Sequence, residues 1–237
     1  MTNEIAILMA AGLGTRMAPL TEKMPKPLVR VFGRPMIETI IEGLNKRGVK
    51  HIYVITGYKG EQFKPLTEKY SNVSLIENKE YQTINNISSI HAAVPVIGKE
   101  DCFVCEADLY VSDPSIFLAD LNHSCYFGKM VKGHSDDWVF EQDKNGRITR
   151  VGKHGDDCFN MCGVAYFKKE DASKIASAIL EAYKHPGTYE QLFWDDIVNR
   201  EIKNINLTVH EVFHNQIVEI DSVKELEEID PNYKEYN

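Results

Sequence analysis

At 237 residues the chain is long enough to bury a substantial core, as one generous domain or two small ones. Lys and Arg total 27 against 35 Asp and Glu, a net charge of -8, which argues against a general nucleic-acid binder and against docking on an anionic membrane. No apolar run approaches the length of a membrane span, residues 1–4 lack the basic start of a signal peptide, and five scattered cysteines fit reduced thiols. The expectation is a cytoplasmic protein without nucleic-acid or membrane partners; its oligomeric state is left open.

The first half alternates strand-like and helix-like segments. Residues 5–9 form a short apolar strand that breaks at Gly12-Leu13-Gly14. Residues 36–46 carry Ile37, Ile40, Ile41 and Leu44 at helical spacing, and Gly48 closes that helix. A second strand follows at 51–56, a helix at 61–70, a third strand at 73–76, a helix at 88–94 and a fourth, buried strand at 101–105. This rhythm predicts a largely parallel sheet with helices on both faces. Ligands of such sheets sit beyond the carboxyl ends of the strands, where Gly12 and Asp108 should converge.

The second half changes character. Residues 126–131, 138–141, 148–151 and 162–167 read as strands, with a turn at Lys144-Asn145-Gly146. A helix is expected at 171–183, an alternating strand at 206–213 and a closing helix at 222–229. No linker separates the halves. The expected organisation is one domain over 1–237, with a first half at 1–112 and a β-rich second half at 113–237.

The most informative stretch is ILMAAGLGTRMAPLTEKMPKPL, residues 7–28. Glycines after a strand expose backbone N–H groups that cradle anions, and Arg16 and Lys26 add positive charge. A polyphosphate is the natural ligand. The dinucleotide fingerprint is excluded, because its third glycine position is Met17, and the P-loop spacing is absent. Glu106 and Asp108, two residues apart at a strand end, point the same way and offer the hard oxygens that Mg²⁺ prefers. Trp138 and Trp194 each stand beside acids, and an aromatic face with nearby carboxylates suits a quaternary ammonium. Other patterns fail on geometry. His210 to His214 spells H-E-x-x-H, but in an alternating strand its histidines lie about 13 Å apart, too far to share a zinc. Cys102 and Cys105 face opposite sides of a strand. Cys158 and Cys162 are expected in a turn and the strand after it, without a partner pair.

The stretch resembles, almost residue for residue, the signature LAAGxGTRLxPLTxxxPKxL of the nucleotidyltransferases that make sugar and choline nucleotides. One departure is Ala18, where many members carry a second Arg. The resemblance implies a Rossmann-like α/β fold and a nucleotide site built from Met9, Ala11, Gly12, Gly14, Lys26, Glu106 and Ala107. It implies Arg16, Lys26 and Asp108 as catalytic residues, Asp108 and Asp221 as ligands of Mg²⁺, and Lys153 as the holder of the acceptor phosphate. Four further runs, INNISSI (84–90), DDWVF (136–140), YEQLFWDDIV (189–198) and VEIDSV (218–223), are similar to bacterial choline-phosphate cytidylyltransferases. That likeness puts Thr83, Asn86 and Ser88 beside the nucleotide, and Asp137, Trp138, Trp194 and Asp195 around the acceptor. The implied reaction transfers CMP from CTP to phosphocholine, giving CDP-choline and pyrophosphate. The family also includes enzymes for 2-aminoethylphosphonate and phosphoethanolamine, which remain alternatives. So do a sugar-1-phosphate nucleotidyltransferase and a non-catalytic nucleotide-binding regulator.

Overall fold

A computed structural model describes residues 3–213 and 215–237. In chain order the strands are β1 (Ile5–Ala10), β2 (Arg30–Val31), β3 (Arg34–Pro35), β4 (His51–Thr56), β5 (Val73–Glu77), β6 (Cys102–Glu106), β7 (Leu109–Val111), β8 (Ser124–Gln142), β9 (Ile148–Phe167), β10 (Leu207–Glu211) and β11 (Ile217–Glu219). The α-helices are α1 (Leu20–Lys23), α2 (Met36–Arg47), α3 (Lys64–Lys69), α4 (Ile87–Ala93), α5 (Lys169–Ala182), α6 (Trp194–Glu201) and α7 (Val223–Ile229).

Seven strands make the central sheet in the order β10-β8-β9-β6-β1-β4-β5. The pairs β1–β4, β1–β6, β4–β5 and β8–β10 are parallel, whereas β9 runs antiparallel to both β6 and β8. The expected mostly parallel α/β sheet is therefore present, covered on both faces. Alternation along β1 sends Ala6 and Leu8 to the side covered by α2, and Ile5 and Ile7 to the side covered by α4, α5 and α6. Each core is nearly dry: Ile37, Ile40, Ile41 and Leu44 of α2 have no exposed surface, and burying each contributes about 1.5–3 kcal/mol. Cys102 joins one core and Cys105 the other, as strand alternation requires. All five cysteines are free thiols. A third, smaller cluster packs Met17, Val29 and Met36 against Ile220, Leu226 and Tyr233, so the C-terminal segment braces the loop after β1.

The second half departs from the sequence expectation. The four short strands expected between 126 and 167 are two long ones, β8 and β9, joined at a turn in which the Asp143 carboxylate accepts from the amides of Asn145 and Arg147. Their register slips at several points, and each slip interrupts the two-residue alternation that would have marked one continuous strand. Cys158 accordingly lies inside β9 and not in a turn. Helix α6 and strand β7 were also unanticipated. His210 sits on strand β10 with its ring 4.8 Å from that of Phe127, while His214 lies outside the described residues. No helix among the described residues is long and apolar enough to cross a membrane.

Candidate active site

Strand β1 ends at Ala10, and the chain turns away from the sheet through Ala11 to Gly14. A side chain at Gly12 would project into open space over this loop. Gly14 adopts φ +62°, and a Cβ there would meet Lys26 Cβ at 2.8 Å. Glycine at 14 thus serves both the turn and the close approach of Lys26. The Thr21 hydroxyl donates to the Gly14 carbonyl at 2.9 Å and steadies the turn. The loop closes one side of a cavity of about 420 Å³, lined by Met9, Ala11, Gly12, Gly14, Arg16 and Lys26. Asn86 and Ser89 of the α4 region face them across the opening.

Beside the loop the fold assembles a centre of acids. Strands β7 and β11 pair antiparallel with Glu219 opposite Leu109, which carries Asp221 alongside Asp108 although 113 positions separate them. Ser222 caps α7, its hydroxyl accepting from the Glu225 amide, while Glu225 in turn accepts from the amides of Asp221 and Ser222. Capping duty therefore falls to Ser222, and the Asp221 side chain is left to face the cavity. Lys26 Nζ donates to Asp108 at 2.7 Å and to Asp221 at 2.6 Å, and Arg16 pairs with Asp221 at 2.8 Å. Lys26 is only 6% exposed. Burial works to lower its pKa, but Asp108 and Asp221 outweigh that and hold the ammonium charged, above its ordinary value.

Two more carboxylates complete the centre. Gly163 of β9, at φ +68°, lies so close to Glu106 that a Cβ there would stand 2.8 Å from its carboxylate. Burial, then the charges of Asp108, Glu219 and Asp195, pushes Glu106 well above the usual carboxylate range. Glu219 reaches solvent at the mouth, yet enclosure of its carboxylate by the cleft walls, followed by Asp108 and Asp221, raises it to about 7. Asp108 and Asp221 already hold one cation between them, the Lys26 ammonium, and their oxygens are of the kind that fits a hard divalent ion, Mg²⁺ before Zn²⁺.

A second cavity, of about 390 Å³, meets the first at Arg16, Glu106, Asp108 and Asp221, which line both. Its outer wall holds Asp137, Trp138, Lys153, Phe193, Asp195 and Glu219. Lys153 Nζ lies 5.8 Å from the ring centre of Trp138 and 5.7 Å from that of Phe193, and those rings stand edge to face at 5.3 Å. Asp195, 2% exposed, accepts from the Tyr126 hydroxyl at 2.6 Å. Its burial raises it to about 7 in spite of that hydrogen bond.

Most of the residues expected from the sequence converge here, and four do not. Trp194 is 3% exposed and packs in the core against Tyr126 and Phe167; the aromatic facing the acceptor cavity is its neighbour Phe193. The first turn of α6 turns 194 inward, toward Ile197 and Val198. Ser88 is buried too, hydrogen-bonded to Asn78 and to the carbonyls of Ile84 and Asn85. Ser89 lines the nucleotide-side cavity in its place, three residues along the helix from Asn86, a spacing that could have singled it out. The Thr83 hydroxyl bonds the Glu80 carbonyl away from the cavity, and Ala107 is fully buried, its amide donating to the Met9 carbonyl. Asn86 lines the cavity and also accepts from the Trp194 amide at 2.9 Å, which ties α6 to the nucleotide side.

Residues 5–137, which carry the strand-end glycine loop, Lys26 and the strand-end acids Glu106 and Asp108, match the model of the nucleotidyl transferase family. The chain belongs to that family. A 2-aminoethylphosphonate cytidylyltransferase from Lancefieldella rimae is 52% identical to it over 228 residues, covering 96% of this chain and 92% of that protein. A choline-phosphate cytidylyltransferase from Streptococcus pneumoniae is 34% identical over 232 residues, with 98% and 99% covered. A solved structure of a CTP:phosphocholine cytidylyltransferase from Streptococcus pneumoniae superposes with a TM-score of 0.88 at 34% identity, covering 97% of this chain and 99% of that one. The protein is a cytidylyltransferase-like nucleotidyltransferase.

Proposed function

We propose that the enzyme transfers CMP from CTP to 2-aminoethylphosphonate, and that the phosphocholine expected from the sequence is the secondary acceptor. The observation that carries this reading is the 52% identity, over nearly the whole chain, to a 2-aminoethylphosphonate cytidylyltransferase. The acceptor cavity supports it independently. A quaternary ammonium is best held by an aromatic cage, whereas a primary ammonium donates three hydrogen bonds and wants carboxylates. With Trp194 in the core, the wall has one tryptophan and one phenylalanine against Asp137, Asp195, Glu106 and Glu219. Phosphocholine stays as the second reading, favoured by the paired faces of Trp138 and Phe193.

In this reading an acceptor phosphonate oxygen attacks the α-phosphorus of CTP, the bond to the β-phosphate oxygen breaks, and pyrophosphate leaves with that electron pair. The attacking oxygen is already anionic, so no base is required. The backbone of Gly12 and Gly14 cradles the triphosphate, Asn86 and Ser89 bound the nucleotide side, and Arg16 and Lys26 balance the negative charge that builds on the leaving pyrophosphate. Lys153 draws the acceptor's anionic end toward the residues shared by both cavities, which bring nucleophile and phosphorus together. Asp108 and Asp221 would hold Mg²⁺, which supplies charge neutralisation at the phosphates. Residues up to 112 serve chiefly the nucleotide and those from 113 chiefly the acceptor, in the cytoplasm, where the thiols stay reduced.

The test is a competition. Equal concentrations of 2-aminoethylphosphonate and phosphocholine are offered with CTP and Mg²⁺, and the CMP conjugates are quantified by mass spectrometry. A product made mainly from the phosphonate is expected. A product made mainly from phosphocholine would reverse the acceptor assignment and leave the cytidylyl transfer standing. No conjugate from either would remove both.

A further inference from the structure

Outside the carboxylate centre, among the described residues, His134, Asp136 and His154 bring three ligand atoms within 4.8 Å of one another. The cluster arises from a slip in the β8–β9 register. Ser135 pairs with Gly155 and Trp138 with Lys153, so Asp136 and Asp137 on β8 oppose His154 alone on β9. This is a β-bulge, a device that re-aims side chains. His134 and Asp136, two apart, share one face of the strand, and His154 comes to them from the partner strand. Asp136 Oδ1 receives both rings, His134 Nε2 at 3.2 Å and His154 Nδ1 at 3.0 Å. Bonds of roughly 2.0–2.2 Å from a metal to nitrogen and oxygen put neighbouring ligand atoms roughly 3.0–3.4 Å apart, so both separations suit one coordination sphere.

A second observation concerns the tautomer. The other nitrogen of His134, Nδ1, lies 2.8 Å from the carboxylate of Asp156, its pairing partner across the strands. With Asp156 accepting from Nδ1–H, an ion held between the rings and Asp136 would take the place of the proton on Nε2, the atom turned toward Asp136. That carboxylate–histidine arrangement is what orients imidazole ligands on metals. All four side chains are more than half exposed, so the rings can turn to close on an ion and water can complete its sphere.

We propose that His134, Asp136 and His154 bind a divalent first-row transition ion of the Zn²⁺ and Co²⁺ class, with Asp156 as the positioning residue for His134. Two imidazoles and one carboxylate favour such ions over Mg²⁺, which prefers an all-oxygen set. The site is therefore chemically distinct from the all-carboxylate centre. Its place matters, because Asp136 also lines the acceptor cavity and His154 follows Lys153. A bound ion would pin the two strands where they present Trp138 and Lys153.

The experiment uses the full chain, tag removed and metal stripped, in excess Mg²⁺ to occupy the carboxylate centre. Co²⁺ is followed by its visible absorption, Zn²⁺ by calorimetry. One equivalent of Co²⁺, displaced by Zn²⁺, is expected in the wild type. His134→Ala and His154→Ala should each weaken Zn²⁺ at least tenfold, and Asp156→Asn by about 10–100-fold, the usual cost of losing a partner that orients a ligand. Cys158→Ser, on the same strand, should bind as the wild type does. The proposal is overturned if the wild type takes up no equivalent at micromolar Zn²⁺. It is equally overturned if the histidine variants keep wild-type affinity, or if only Cys158→Ser loses the ion. Unchanged far-ultraviolet circular dichroism in each variant excludes misfolding as the cause of a loss.

Discussion

The nucleotide cradle and the acceptor wall are built on opposite terms. The cradle rests on β1 and β6, five or six residues long, paired parallel without a slip and buried on both faces. Its cation, Lys26, has almost no exposed surface and a fixed pair of partners. The acceptor wall rests on β8 and β9, 19 and 20 residues long, which slip against each other and whose middle stretches carry His134, Asp136, Asp137, Lys153 and His154 in the open. Strand ends in a close-packed sheet hold groups to within fractions of an ångström, which suits the step common to all acceptors. A bulged, half-exposed strand pair changes its side chains at little cost to the core, which suits the choice between acceptors. The division predicts that variants in the cradle alter turnover, variants behind the wall alter stability, and variants on its face alter acceptor preference.

The largest effect tests whether Trp194 stands behind the wall or on it. Trp194→Ala should cost about 3–5 kcal/mol of stability in urea denaturation, the range for deleting a buried aromatic. If stability held and only the acceptor Michaelis constant rose, Trp194 would belong to the cavity. In the cradle, Asp108→Asn should keep the fold and lose at least about a hundredfold in turnover, some 2.7 kcal/mol of transition-state stabilisation. Pyrophosphate release at saturating CTP and Mg²⁺ reads this directly, and near-normal turnover would take Asp108 out of the site.

The same contrast decides what the sequence made legible. Contiguous residues on strand ends carried the cradle: Gly12, Gly14, Arg16 and Lys26 follow one short strand and Asp108 another, so their convergence follows from sheet topology alone. Asp221 was reachable through the resemblance, because the run VEIDSV stands just ahead of the closing helix expected at 222–229. The wall was legible as motifs and not as geometry. DDWVF and FWDDIV were marked as acceptor-facing, but which aromatic faces the cavity depends on the phase of α6, and that is set by Ile197 and Val198 packing inward. Ser88 and Ser89 differ by one helical step, again a matter of phase. The length of β8 and β9 was hidden because bulges break the alternation by which strands are recognised.

Protonation sharpens the comparison further. Asp195 is held at about 7 when folded, against an ordinary value of 3.8. The native state therefore binds the extra proton between those values. Its contribution to stability is complete below the unfolded value and is lost as pH rises through about 7. Asp195→Asn, which cannot titrate, should flatten the fall of stability between about pH 4 and 7, by at most about 1.4 kcal/mol per pH unit. Urea midpoints across that window supply the slopes. Identical slopes in the two proteins would mean that Asp195 ionises as an ordinary surface acid and that the wall is wetter than its burial implies.

The smallest effect discriminates most finely, because it asks what kind of cation the wall was shaped for. Phe193 and Trp138 meet edge to face beneath Lys153, and no other aromatic ring lines this cavity among the described residues. If the acceptor's ammonium is primary and held by Asp137 and Asp195, the Phe193 ring contributes only an exposed-site attraction, about 0.5–1 kcal/mol. Phe193→Ala should then raise the Michaelis constant for 2-aminoethylphosphonate about two- to fivefold, with that for CTP unchanged. A quaternary ammonium has no hydrogen to give a carboxylate and depends on the ring, so phosphocholine should suffer more, by about 2 kcal/mol or close to thirtyfold. The ratio of the two losses is the quantity to measure, since general damage to the wall cancels from it. A ratio near one would show that ring and carboxylates serve both acceptors alike, and that the choice between them is made elsewhere in the chain.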